Sequence, residues 1–268
     1  MLSNASRWLT RVLAVLYLAL GLALFLFPSR LAPAFAWKVS SFVAMTIGGW
    51  TLGNAWAAFV AAQRWRWARV YPALLYLWLF GGLELAVVLA FRDKLRLDHP
   101  IAWLYLLALA VNALAALWGA ADWLRRRPTR EATGGVTPIL RGLLLAFVLF
   151  VGFLGVYGLV AQPGWPATNG GIFPEVLSPF SLRSFGAFYL SLALATAGLL
   201  ATRNLQAVLT FAFAEYGLIV FITVAALWHL RLFDFTVRPG GAVYIGIYVV
   251  VGAVAGWLMA RHGTGNAP

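Results

Sequence analysis

Eight apolar stretches recur along the chain, separated by short polar or helix-breaking segments. They run roughly over Leu9–Phe27, Ser40–Ala62, Val70–Phe91, Ile101–Ala121, Leu140–Ala161, Arg183–Ala201, Gln206–Trp228 and Ala242–Ala260. About twenty apolar residues in a helix reach across the hydrocarbon core of a bilayer. Lipid offers no partner to free backbone N–H and C=O groups, so each stretch is expected to be a helix. The pattern therefore predicts an all-α integral membrane protein with eight transmembrane helices.

The longest polar interruption falls at the centre. Arg125-Arg126-Arg127-Pro128-Thr129-Arg130-Glu131 trails through Gly134-Gly135 to Pro138. A run of arginines with Pro and Gly does not belong in hydrocarbon and marks an aqueous linker. The expected organisation is a first four-helix repeat over 1–124, a basic cytosolic linker over 125–138 and a second four-helix repeat over 139–268. The N-terminus imitates a signal peptide, with Arg7 and Arg11 before the apolar run and Ala34-Phe35-Ala36 after it. The intervening Pro28-Ser29-Arg30 and the length of the run favour a retained first helix.

The halves are expected to be related by duplication. A shift of 139 positions, the interval from Arg64 to Arg203, also carries Arg92 onto Arg231 and Pro100 onto Pro239. It brings Tyr105 onto Tyr244 and Trp118 onto Trp257 without a gap. Four spans per half is an even number, so both halves enter from the same side and the repeats are parallel.

Composition agrees with this class. Hydrophobic residues make up 63% of the chain and charged residues 10%, whereas soluble domains carry about a quarter charged residues. The formal net charge of +12 is spread over short loops. No basic face or folded aqueous domain is present to carry nucleic acid, so no nucleic-acid partner is expected. The arginines sort by loop instead. Arg7, Arg11, Arg64, Arg66, Arg69, Arg125, Arg126, Arg127, Arg130, Arg141, Arg203 and Arg261 fall on one side. The opposite side has fewer, several beside Asp93, Asp98 or Asp234, and its longest loop, Gln162 to Ser181, has none. The positive-inside bias places both termini in the cytosol of a cell membrane. Arg125, Arg126, Arg127 and Arg130 would then face anionic lipid, the partner expected on that side.

Candidate chemistry is sparse. There is no cysteine, which excludes disulfide exchange, thiolate nucleophiles and cysteine-ligated metal. No phosphate-binding loop, dinucleotide fingerprint or nucleophile elbow occurs, so no cofactor is expected. His99 and His229 stand near Asp93, Asp98 and Asp234 without metal-ligand spacing, and no metal site is expected.

Two carboxyls lie inside spans, Glu84 and Glu215. Ionisable groups at that depth are costly and mark sites by default. Glu84, Trp50 and Asn112 lie at similar depth, with Asn54 about a turn deeper. Trp50 and Asn54 are four apart and share a helix face. Glu215 matches Thr196 in depth. The two carboxyls differ in depth by about 12 Å and are not equivalent in the repeat, which disfavours a paired acid–base site. The structural alternative is a carboxyl that glues helices by hydrogen bonding. Gly49-x-x-x-Gly53 and Gly252-x-x-x-Gly256 suggest close helix contacts, here assigned to internal packing. In the apolar outer loop, Trp165, Phe173 and Glu175 are candidates for contact with another membrane subunit, or for a lid.

The expected function is that of a non-enzymatic structural or accessory component of a membrane assembly. The alternatives are a transporter for a small or lipophilic molecule near Glu84 or Glu215, and an intramembrane enzyme acting on lipid or isoprenoid. Reporter fusions placed after Arg130 and at Pro268 should both report a cytosolic location. A signal from the far side of the membrane at either position would reject this topology.

Overall fold

The computed structural model describes every residue except 130–133, 163–164, 166–170 and 264–268. Its elements are helices: α1 (Asn4–Leu26), the single turn α2 (Pro28–Leu31), α3 (Ser41–Gln63), α4 (Trp67–Ala90), α5 (Pro100–Arg126), α6 (Pro138–Val160), α7 (Pro179–Leu200), α8 (Leu205–Trp228) and α9 (Gly240–His262). Short 3-10 turns, Arg92–Lys94 and Leu230–Leu232, follow α4 and α8.

Local sequence explains the helix starts. The side chains of Ser3, Ser40, Thr137, Ser178 and Asn204 each accept a hydrogen bond from a backbone N–H in the first turn of the helix that follows. Pro100, Pro138 and Pro179 occupy first helical positions, where the missing N–H costs nothing. The end of α5 differs from expectation. Arg125 and Arg126, assigned to the linker, form its last turn, and Arg127 closes it in the left-handed region at φ 41°. The cause is local. Arg126 Nε donates to Asp122 Oδ1 one turn earlier at 2.6 Å, and cations favour a helix C-terminus.

Among the described residues seven helices are long and apolar enough to cross a membrane: α1, α4, α5, α6, α7, α8 and α9. The chain is thus built as a multi-pass helical membrane protein. The remaining long helix, α3, is 23 residues long and carries Thr46, Gly48, Gly49, Thr51, Gly53 and Asn54. Almost every residue of α3 is buried. It packs against α1 on one side and α8 on another, so protein replaces lipid as its surroundings. Polar and small residues are tolerated there because neighbouring helices satisfy them.

Around α3 lie α1, α4 and α8, and α7 reaches it through Phe185 and Phe188 against Trp50. Helix α4 touches α5, α7 and α8, while α1 packs on α5. Helix α6 lies along α7 and α9 along α8. These two are the least covered: 17% of the apolar window is buried in each, against 72% in α7. Their outer faces carry Leu149, Phe153, Val249 and Val250.

Close approach is made by small residues. A Cβ on Gly53 would lie 2.3 Å from Leu218 Cδ2 and 2.7 Å from its Cα, and one on Gly49 would press the Phe221 backbone. The Gly49/Gly53 pair therefore seats α3 on α8. Gly252 and Gly256 likewise turn toward Ile219 and Tyr216 of α8. The first pair makes the close contact, and the second has only side-chain tips of α8 beside it. Replacing Gly53 by Leu should push α3 from α8 and lower stability by about 1–3 kcal/mol or more, the usual overpacking cost. Thermal unfolding in detergent measures this, and an unchanged midpoint would refute the contact.

Candidate functional site

Tyr76, Phe80 and Glu84 follow at four-residue intervals and line one face of α4. All three are buried. Glu84 Oε1 accepts two hydrogen bonds, from the Tyr105 hydroxyl of α5 at 2.6 Å and from Ser184 Oγ of α7 at 2.8 Å. One carboxyl oxygen thereby joins three helices, one of them from the second half of the chain.

The other polar residues expected here find tyrosine partners too. Asn112 Nδ2 donates to the Tyr17 oxygen at 2.8 Å, tying α5 to α1. The Tyr76 hydroxyl donates to Asn54 Oδ1, tying α4 to α3. The Trp50 ring stacks on Phe188 at 4.6 Å and meets the edge of Phe185 at 4.4 Å, both on α7. Glu84, Asn112, Asn54 and Trp50 thus belong to one buried region, but Glu84, Asn112 and Asn54 are bonded through Tyr17, Tyr76, Tyr105 and Ser184 rather than to one another, and Trp50 is held by ring contacts alone. Depth-matching missed these four. Hydroxyl groups are common in spans and carry no mark of their own. The four-residue ladder from Tyr76 to Glu84 was the one signal available for any of them.

Glu84, Trp50, Thr51, Tyr17 and Tyr105 line a cavity of about 20 Å³, closed on its other sides by Trp37, Ile47, Phe80 and Leu109. Trp37 comes from the α2–α3 connection and stacks on Phe180 at 4.2 Å, roofing the site. Four buried polar atoms of this region have no hydrogen-bond partner: Glu84 Oε2, Trp50 Nε1, Asn54 Nδ2 and Asn112 Oδ1.

Glu215 is separate. It is buried in α8, and neither carboxyl oxygen has a hydrogen-bond partner. Thr196, matched to it in depth, donates instead to the Leu192 carbonyl of its own helix at 2.7 Å. Hydroxyls in helices commonly satisfy themselves in this way. Tyr76 of α4 is the electrostatic neighbour of Glu215.

The outer loop turns inward where it is described. Phe173 is buried against Phe185 and Tyr244. Glu175 accepts from Ser40, the N-cap of α3, and Arg238 donates to the Pro174 carbonyl. Phe173 and Glu175 are therefore spent on the chain's own packing, while Trp165 lies at the surface beside Tyr157. Below Phe173 a second cavity of about 370 Å³ lies between α6 and α7, lined by Phe153, Tyr157, Leu182 and Tyr189 among others. Among the described residues its wall contains no carboxyl.

At the opposite end Asp122 was not anticipated. Its Oδ2 accepts from Ser3 N and from Ser6 Oγ at 2.8 Å, and its Oδ1 from Arg126. This clamps the start of α1 to the end of α5. Of the arginines assigned to lipid, Arg126 is engaged in that clamp, Arg125 and Arg127 are exposed, and Arg130 lies outside the described residues. Among the described residues no three His, Asp or Glu side chains gather as metal ligands.

Comparison with protein-family models, with curated proteins and with solved structures returned no match.

The two hydroxyl bonds to Glu84 define its expected response to mutation. Glu84→Gln keeps an oxygen acceptor for Tyr105 and Ser184 and should leave stability nearly unchanged. Glu84→Leu strands both hydroxyls and should cost roughly 0.6–2 kcal/mol for each interhelical hydrogen bond. Chemical denaturation of both variants in micelles checks the order, and a Gln variant as weak as Leu would refute it.

Proposed function

We propose that the chain is a non-enzymatic structural or accessory component of a membrane assembly. The observation that carries this is the division of chemistry between the two cavities. The one that reaches a carboxyl has about 20 Å³, far below the roughly 300 Å³ at which small-molecule sites begin. The one of substrate size is lined, among the described residues, by apolar and aromatic side chains without a carboxyl. Glu84, Asn112 and Asn54 of the first half are engaged in joining helices, as glue. The thinly covered faces of α6 and α9 are where other membrane subunits would bind.

In this reading all eight long helices span the cytoplasmic membrane, with both termini cytosolic and the halves as parallel repeats. Helix boundaries support the repeat. Helices α4 and α8 both start and end 138 residues apart (Trp67 to Leu205, Ala90 to Trp228), as do the two 3-10 turns. Helix α3 meets α8, and its counterpart α7 meets α4, the exchange a pseudo-twofold axis requires. Capping supports it too. Arg7, the fourth residue of α1, donates to Ala62 O near the end of α3 at 2.7 Å. Arg141, the fourth residue of α6, donates to Thr202 O just beyond α7 at 3.3 Å. Both lie on the proposed cytosolic side, where exposed Arg125 and Arg127 would add about 1 kcal/mol each against anionic lipid.

One observation favours transport as a second reading: the unpaired carboxyl of Glu215 inside a span. Extraction from the native membrane in mild detergent separates the readings. A stoichiometric complex with other membrane proteins is expected. A monodisperse single chain, with proton-coupled flux in liposomes that Glu215→Gln abolishes, would replace the structural reading by the transport one.

A further inference from the structure

We propose that the cavity beside Glu84 binds one water molecule, which bridges Glu84 Oε2 and Trp50 Nε1 and so joins α4 to α3. Size sets the ligand class. About 20 Å³ exceeds the roughly 10–15 Å³ that one water requires and leaves no room for a second. An organic ligand is excluded by more than tenfold in volume.

Unmet hydrogen bonding supplies the affinity. Glu84 and Trp50 are 2% and 3% exposed, both line the cavity, and each has a polar atom without a partner. A buried polar atom left unpaired costs about 1–3 kcal/mol. The indole N–H is a donor only, so it needs an acceptor, which a water oxygen is. The indole cannot turn elsewhere, because its ring is held between Phe185 and Phe188. Glu84 Oε2 accepts from the water as a carboxylate, or donates to it as a carboxylic acid. The rest of the wall completes the shell. Thr51 Oγ1 donates to the Ile47 and Gly48 carbonyls, both at 3.0 Å, and keeps its lone pairs for an incoming O–H. The Tyr17 oxygen, already accepting from Asn112, retains its own O–H. A bound water thus meets two to four partners, the number found for buried waters. A metal or ammonium ion is disfavoured, because the Trp50 indole, a donor only, belongs to the same lining.

The site is independent of the assembly proposed above, since it concerns one chain alone. The experiment is infrared spectroscopy of the whole protein in lipid, in H₂¹⁶O and H₂¹⁸O. The wild type should show an isotope-sensitive O–H stretch of one hydrogen-bonded internal water. Trp50→Phe, which removes the donor and keeps an aromatic ring, should lose that band. Glu84→Gln, which keeps a polar group at the cavity, should retain the band at a displaced frequency. A wild type without such a band would overturn the proposal. A band that neither substitution alters would also overturn it, because that water would lie elsewhere. If Trp50→Phe does not fold, the Glu84→Gln displacement alone decides, and an unmoved band rejects the site.

Discussion

The hydrogen bonds that Glu84 receives from Tyr105 and Ser184 are the interaction on which the rest of this structure turns. Within hydrocarbon no water competes for or rescues a polar group, so each must find its partner in protein. Glu84 finds its partners on two other helices at once, and one comes from the far half of the chain. The register of α4 against α5 and α7 follows from that single carboxyl oxygen. The Asn112–Tyr17 and Tyr76–Asn54 bonds repeat the device for α5 with α1 and for α4 with α3. Three tyrosines and a serine thus distribute the polar connections of the first half over its helices.

Once those bonds set the register, small residues set the distances. Gly49 and Gly53 bring α3 against the α8 backbone, and Gly158 meets Gly186 where α6 crosses α7. Dispersion between closely packed backbones replaces the hydrophobic effect, which lipid cannot provide between helices. The result is a gradient from centre to edge. Helix α3 is glycine-rich, dotted with Thr and Asn, and enclosed, whereas α6 and α9 are apolar and bare over most of their surface. What surrounds each helix explains its composition better than its length does.

The ends of the bundle are held by a different rule, because water is near. Arginines there reach the last carbonyls of neighbouring helices, as Arg7 does for α3 and Arg183 does for α6. A helix C-terminus leaves those carbonyls without intrahelical donors. The guanidinium supplies several at once. Asp122 does the converse, gathering backbone and hydroxyl donors from the start of α1.

Much of this was legible in the chain alone. The apolar stretches fall on long helices, seven of which, among the described residues, are long and apolar enough to cross a membrane, because in lipid the backbone has no alternative to satisfying itself locally. Glu84, Asn112, Asn54 and Trp50 could be placed in one buried region, because a helix converts residue number into depth. The partners could not be named, since Tyr17, Tyr76, Tyr105 and Ser184 come from four helices and depth carries no azimuth. The depth that Glu215 shares with Thr196 likewise carried no azimuth, and Thr196 turns back to Leu192 of its own helix. The loop residues Phe173 and Glu175 were equally open to packing inward or outward until α3 and α9 stood beside them. Local hydrogen bonding and hydrocarbon thickness are properties of a segment, so the sequence determined the helices and their depths. Which faces meet is a property of the assembled bundle, and tertiary structure alone decided that α3 is wrapped in protein and that one carboxyl joins the two halves.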